Sequence, residues 1–114
     1  MDTRRRLGAM TEDLVAGLIC VKAKLLARNW RPRGGGEVDI VALEGDTLLF
    51  LEVKSRKKGR PRSLVTRAQK RRLLRSVDLW LAKSPHEGPV RLEMVLVTRA
   101  IDGSVERVDR VPLS

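Results

Sequence analysis

Two aliphatic runs, Val38 to Leu43 and Leu48 to Val53, are separated by little more than Gly45-Asp46. Each run has the length of a strand, and such a spacer signals a hairpin turned by two residues with glycine in the first position. Neither run alternates apolar with polar residues, so both faces of the hairpin need cover, and helices should pack on both sides of the sheet. Four charges, Glu37, Asp39, Glu52 and Lys54, nevertheless stand within or beside these runs. A dry, unpaired charge is expensive, so something must compensate each of them.

A two-residue turn pairs Glu44 with Thr47 and Leu43 with Leu48. Carried down the ladder, this register sets Asp39 opposite Glu52 and Glu37 opposite Lys54. Residues two apart share a face, so all four charges point the same way. Facing carboxylates repel, and one takes up a proton unless a cation intervenes. With no histidine nearby, a hard divalent cation, Mg2+ or Mn2+, suits the pair, since Mg2+ accepts one or two carboxylates and keeps several waters. Water activated there beside Lys54 would attack phosphorus in line while cation and ammonium stabilise the developing charge. The structural alternative is a Glu37–Lys54 cross-strand ion pair, with Asp39 capping a backbone loop beside the glycines at 34–36. A slip of one residue in register would scatter the four charges over two faces.

Around the hairpin, Leu14, Leu18, Val21 and Leu25 recur at helical spacing, which predicts an amphipathic helix from about Thr11, its N-cap, into the low twenties. Pro32 and three glycines make a loop of residues 31–36. Residues 55–63, basic and holding Gly59 and Pro61, read as an exposed loop. A second helix is predicted from Thr66 to about Ala82, burying Leu73, Leu74, Val77 and Leu81. SPHEGP ends it. Two more strands, Leu92 to Thr98 and Val105 to Val111, flank Asp102-Gly103. Cys20 reads as a small buried hydrophobe, His86 as a solvated turn residue and Trp80 as core.

The 114 residues make one domain, and 24 Lys and Arg against 14 Asp and Glu give a net charge of +10. A polyanion is the expected partner, nucleic acid before a membrane surface, since no run is long and apolar enough to span a bilayer. No hydrophobic signal core follows the basic start, and cytoplasmic residence is expected. From Val53 to Val77 the charges are all basic: Lys54, Arg56, Lys57, Lys58, Arg60, Arg62, Arg67, Lys70, Arg71, Arg72 and Arg75. A single-signed run that starts directly after Glu52 suits phosphate contacts, some of them at the start of the second helix, where Ser63 or Thr66 could cap. With one Phe, two Trp and no Tyr, base stacking is not the main mode, and duplex or branched DNA fits better than single strands. Trp30, among Arg28, Arg31 and Arg33, is the one candidate stacking contact.

GGGEVDIVALEGDTLLFLEVKSR resembles the YraN family, a bacterial group of small predicted endonucleases, and the core of PD-(D/E)XK nucleases, especially archaeal-type Holliday junction resolvases. ARNWR, VTRAQKRRL and VRLEMVLV extend the resemblance from about Thr11 to Val97. It implies an α/β fold: one restriction-endonuclease-like domain over residues 1–114, with a central mixed β-sheet flanked by helices on both faces. It implies Asp39 and Glu52 as metal ligands, Lys54 as the motif lysine, and a helix-one glutamate, Glu12, completing the catalytic set. It also implies a strand over Lys24 to Trp30, where the periodicity reads helix. The chain departs from the pattern in places. An ungapped count from Asn29 puts the family glutamate on Thr11, Gln69-Lys70 stands where Lys-Gln is usual, and Glu93 replaces a third-strand aspartate. The implied activity is Mg2+-dependent hydrolysis of phosphodiester bonds in branched or repair-intermediate DNA. A non-catalytic nucleic-acid-binding module of the same fold is the alternative. A basic face docking an acidic partner ranks third, and a homodimer is left open.

Overall fold

The computed structural model describes residues 3–61 and 65–114. Along the chain lie α1 (Thr3–Ile19), β1 (Lys24–Trp30), β2 (Val38–Glu44), β3 (Thr47–Lys57), α2 (Arg67–Lys83), β4 (Val90–Arg99) and β5 (Val105–Pro112). The strands form one sheet in the order β1-β2-β3-β4-β5, antiparallel except between β3 and β4. A parallel pair needs a crossover, and α2 supplies it. The fold is therefore α/β, a mixed sheet with a helix on each face.

Two apolar layers account for the runs that lack alternation. On one face Ile40, Ala42, Leu49, Leu51, Val95 and Val97 pack against Val15, Ala16 and Ile19 of α1. On the other, Val41, Leu48, Phe50 and Leu92 pack against Leu73 and Val77 of α2. The hairpin register is the expected one: Glu44 pairs with Thr47 and Leu43 with Leu48, down to Ile40 with Leu51. Gly45 takes φ +61°, the left-handed conformation that the first position of this turn demands. His86 is not merely solvated. Its Nε2 donates to the Asp46 carbonyl at 2.7 Å and ties the hairpin tip to the SPHEGP turn.

Several expectations are corrected. The first helix starts at Thr3, so Thr11 is no cap; its hydroxyl donates to the Leu7 carbonyl at 2.9 Å and its side chain is buried. The inward stripe is Thr11, Val15, Ala16 and Ile19, one residue out of phase with the aliphatic spacing, which leaves Leu18 and Val21 exposed. Cys20, just past the helix end, is exposed as well. Leu25 belongs to β1, as the resemblance implied. There a bulge between Leu25 and Ala27 turns Leu26 outward and breaks the strand's period of two. Residues 55–57 continue β3 instead of opening a loop, because β4 runs alongside as far as Arg99. The second helix holds nearly as expected, capped by Thr66, whose hydroxyl accepts from the Gln69 amide at 3.1 Å. Leu74 is exposed, since the buried stripe follows Leu73, Ser76 and Val77. Trp30 packs edge-on against Trp80, with ring centres 5.1 Å apart, and Trp80 in turn meets Phe50. Among the described residues no helix is long and apolar enough to cross a membrane.

One ion network holds β5 to the rest of the sheet. Arg110 Nε donates to the buried Glu93 at 2.8 Å, and its Nη1 lies 3.3 Å from Glu44. Losing the arginine strands Glu93, which is only 5 % exposed. Arg110→Ala should therefore cost about 2–3 kcal/mol, below the usual figure for a fully buried pair because the arginine is partly wet. The double change Glu93→Leu, Arg110→Leu should cost less than the single one. Urea unfolding of the two variants checks this.

Candidate active site

The hairpin ladder sets the acid pair. Continuing its register by one step puts Asp39 across from Glu52, and both are nearly buried, 9 % and 7 % exposed. Asp39 Oδ2 accepts the Val53 amide at 2.7 Å, so one oxygen of the pair is committed to holding β3. Glu52 follows Leu48 and Phe50 toward the α2 face, and Lys54 comes next at the same period. Lys54 Nζ stands 3.6 Å from Glu52 Oε1 and remains half-buried. The expected alternative, a Glu37–Lys54 pair, is absent: Glu37 pairs with Arg31 at 2.9 Å.

Helix α2 closes the site. Asp39, Glu52, Glu37, Gly36, Gln69 and Arg72 line a cleft of about 160 Å³. Gln69, in the first turn of α2, points its amide at Glu52 Oε1, 3.4 Å away. No acidic residue occupies that turn, so the positive end of the helix faces the acids uncompensated. The glycine loop holds the helix close. Gly36 donates to the Arg72 carbonyl at 3.1 Å, and Ser76 Oγ donates to the Gly36 carbonyl at 2.6 Å. A Cβ on Gly35 would collide with Ser76 Oγ, which is why the loop is glycine there.

Glu12 reaches the same end of the sheet from α1. Its Oε1 accepts the Asn29 side-chain amide at 2.6 Å, beside an Asp13–Arg28 ion pair of 2.8 Å. Asn29 has φ +49°, in the left-handed region that asparagine tolerates better than most residues. Of the two positions that counting back leaves open, Thr11 is buried in the helix and accepts a bond from Arg99, whereas Glu12 lies outside the acid cleft but near enough for its charge to act on Asp39.

Burial and neighbouring negative charges govern the acids. Removal from water, then the charges of Glu12 and Glu37, raise Asp39 to about 6, against the opposing Val53 amide and Lys54. Glu52 is pushed up to about 8, first by removal from water and next by the Asp39 charge, despite Lys54. Among the described residues no three His, Cys, Asp or Glu side chains gather into a metal-holding cluster. The donor set is two carboxylates, and that fits Mg2+ or Mn2+ with waters filling the remaining positions. Either cation would relieve the strain that burial creates.

The basic residues are dispersed. Arg67, Lys70 and Arg71 lie on α2, whose first turn borders the cleft. Arg56 donates to Thr98 on the neighbouring strand, and Lys58 pairs with Glu106 at 2.9 Å. Lys57 and Arg60 project at the end of β3, while Arg62 and Ser63 lie outside the described residues. Glu93 is on the opposite face from the acid pair, because Glu52 is level with Met94 and Leu51 with Glu93. Sequence reasoning did not single out Arg72 or Asn29 as site residues. The signal for Arg72 was its place three residues beyond Gln69.

The mixed sheet, the helix on each face and the acid hairpin at its centre define a small α/β domain of the restriction-endonuclease-like class. Within that class the chain belongs to uncharacterised protein family UPF0102, the YraN family, whose model matches residues 11–97. A UPF0102 protein of Parafrankia sp. is 41% identical over 110 residues, covering 92% of each chain. One from Frankia casuarinae is 38% identical over 116 residues, covering 97% of each. One from Streptomyces griseus is 40% identical over 101 residues, covering 83% of this chain and 84% of its own.

The raised acids carry a stability signature. In the unfolded chain they titrate near pH 4, so the folded state holds their protons more tightly. Their contribution is full below about pH 4 and is lost as pH rises through about 6 for Asp39 and about 8 for Glu52. Metal-free wild type should lose stability from pH 5 to 9, by at most about 1.4 kcal/mol per pH unit for each proton. Glu52→Gln should flatten that decline and melt higher at pH 8, as read by calorimetry in EDTA.

Proposed function

We infer that this protein is a divalent-metal-dependent endonuclease acting on DNA, selective for branched or repair-intermediate forms, in the bacterial cytoplasm. The observation that carries the reading is the buried Asp39–Glu52 pair, with Lys54 beside it and a basic helix over it. Buried carboxylates facing each other are costly unless a cation is their working partner. Asp39 and Glu52 would hold Mg2+ or Mn2+, which when bound supplies a nucleophile at neutral pH and neutralises phosphate charge.

The chain's own residues do the rest. Arg67, Lys70 and Arg71 fix the phosphate backbone, and the salt dependence of binding reports their contacts. Lys54 places its ammonium where negative charge grows on the scissile phosphate as water oxygen bonds to phosphorus and one ester P–O bond breaks. Gln69 orients Glu52, and Asn29 holds Glu12, whose charge acts on Asp39 from outside the cleft. One observation favours a second reading, a binding module without turnover: no third carboxylate or histidine completes a metal-holding cluster among the described residues.

Labelled duplex, flap and four-way-junction DNAs with Mg2+ or Mn2+ separate the two. Wild type should cleave a branched substrate. Lys54→Met should lower kcat by about 100-fold or more while DNA affinity stays within about twofold, because the group acts on the transition state. No wild-type cleavage of any substrate, with tight salt-sensitive binding retained, would establish the binding module instead.

A further inference from the structure

The stripe of α2 that faces the acids does not end with them. Gln69, Arg72, Ser76, Leu79 and Lys83 recur every three or four residues and so lie along one side of the helix. Gln69 and Arg72 border the acid cleft, and Ser76 holds the glycine loop. Leu79 and Lys83 border a second cavity, of about 310 Å³, together with Trp30, Pro32, Arg33 and Trp80. Arg72 and Leu79 are seven residues apart, which is about 10 Å along the axis. The same loop therefore forms part of both cavities, Gly36 in one and Pro32 with Arg33 in the other.

The second cavity has a distinct chemistry. Both tryptophans of the chain line it, with their rings perpendicular at 88°. Such a corner lets a planar ring lie flat on one indole and meet the other edge-on. Trp80 is fixed from behind by Phe50, so the corner is formed before any ligand arrives. The side chains of Arg33 and Lys83 stand exposed at its rim and have no hydrogen-bond or ion-pair partner among the described residues. An aromatic wall beneath two uncommitted cations matches a flat ring that carries an anion.

We propose that this cavity receives an unpaired nucleobase of a DNA strand, stacked on the tryptophan corner, with its phosphate held by Arg33 and Lys83. The proposal rests on the nucleic-acid reading of the acid cleft and specifies its substrate. DNA with an extrahelical or splayed base about 10 Å from the scissile phosphate would fill both cavities at once, whereas a fully paired duplex fills only one. Selection for branched or damaged DNA then arises from stacking, with no base-edge code.

Because both tryptophans line the cavity, intrinsic fluorescence of the full chain reports its occupancy. Three DNA hairpins serve as probes: one fully paired, one with a single extrahelical adenine, and one with an extrahelical abasic residue at the same place. Affinity is followed separately through a dye on the DNA. The adenine bulge should quench tryptophan emission and bind about tenfold tighter than the abasic bulge, the scale of one stacked base. Leu79→Glu should bring the adenine bulge down to the abasic level. Equal affinity for all three hairpins with unchanged emission would overturn the pocket and leave the nucleic-acid reading intact. Equal quenching by the abasic bulge would also overturn it, since no base would then be the ligand. Failure of every hairpin to bind would overturn both.

Discussion

Two carboxylates held face to face in a nearly dry cleft are the constraint from which this molecule is best understood. Asp39 and Glu52 are brought together by a hairpin whose remaining residues are aliphatic, so neither acid can turn to water without breaking the ladder. Water removal raises both proton affinities, helped at Glu52 by the charge of Asp39 and at Asp39 by those of Glu12 and Glu37. The fold tolerates this because Asp39 secures the Val53 amide, while Lys54 and Gln69 each approach Glu52. Each partner offsets part of the cost, and none cancels it. A cation would.

The surrounding architecture keeps that arrangement rigid. The parallel step from β3 to β4 forces a crossover, and the crossover helix lands on the face to which Glu52 and Lys54 point. Glycines 35 and 36 let the loop before β2 lie directly on α2, so strand and helix, acid and amide, cannot drift apart. At the far side, β1 brings Asn29 to Glu12 and, one residue on, Trp30 to Trp80. The acid cleft and the tryptophan corner are thus positioned by the same few contacts.

The central hairpin was legible because its signals agree: a Gly-Asp turn fixes the register, and a period of two then assigns every side chain to a face. The acid pair and Lys54 came with it. Helix α1 was legible as a helix but not in phase, since Leu18 and Val21 offer a better apolar period than Thr11, Val15 and Ile19, which tertiary packing buries. Strand β1 was hidden by a bulge that removes its alternation, and only the family resemblance indicated it. The extension of β3 was hidden because residues 55–57 look like solvated loop, and their pairing with β4 is a long-range fact. Gln69 came into view only through the family resemblance, and Arg72 only through its place three residues beyond Gln69 on a helix crowded with other basic residues. Cys20 misled because apolar neighbours in sequence do not guarantee burial one residue past a helix end.

The central claim is that the acid pair exists to hold a divalent cation. Titration of the full chain with Mn2+ at pH 8, followed by calorimetry, tests it most directly. The account predicts binding to wild type that is lost in both Asp39→Asn and Glu52→Gln, with each variant still folded by circular dichroism. Folded wild type that takes up no Mn2+, or binding that survives either substitution unchanged, would contradict it.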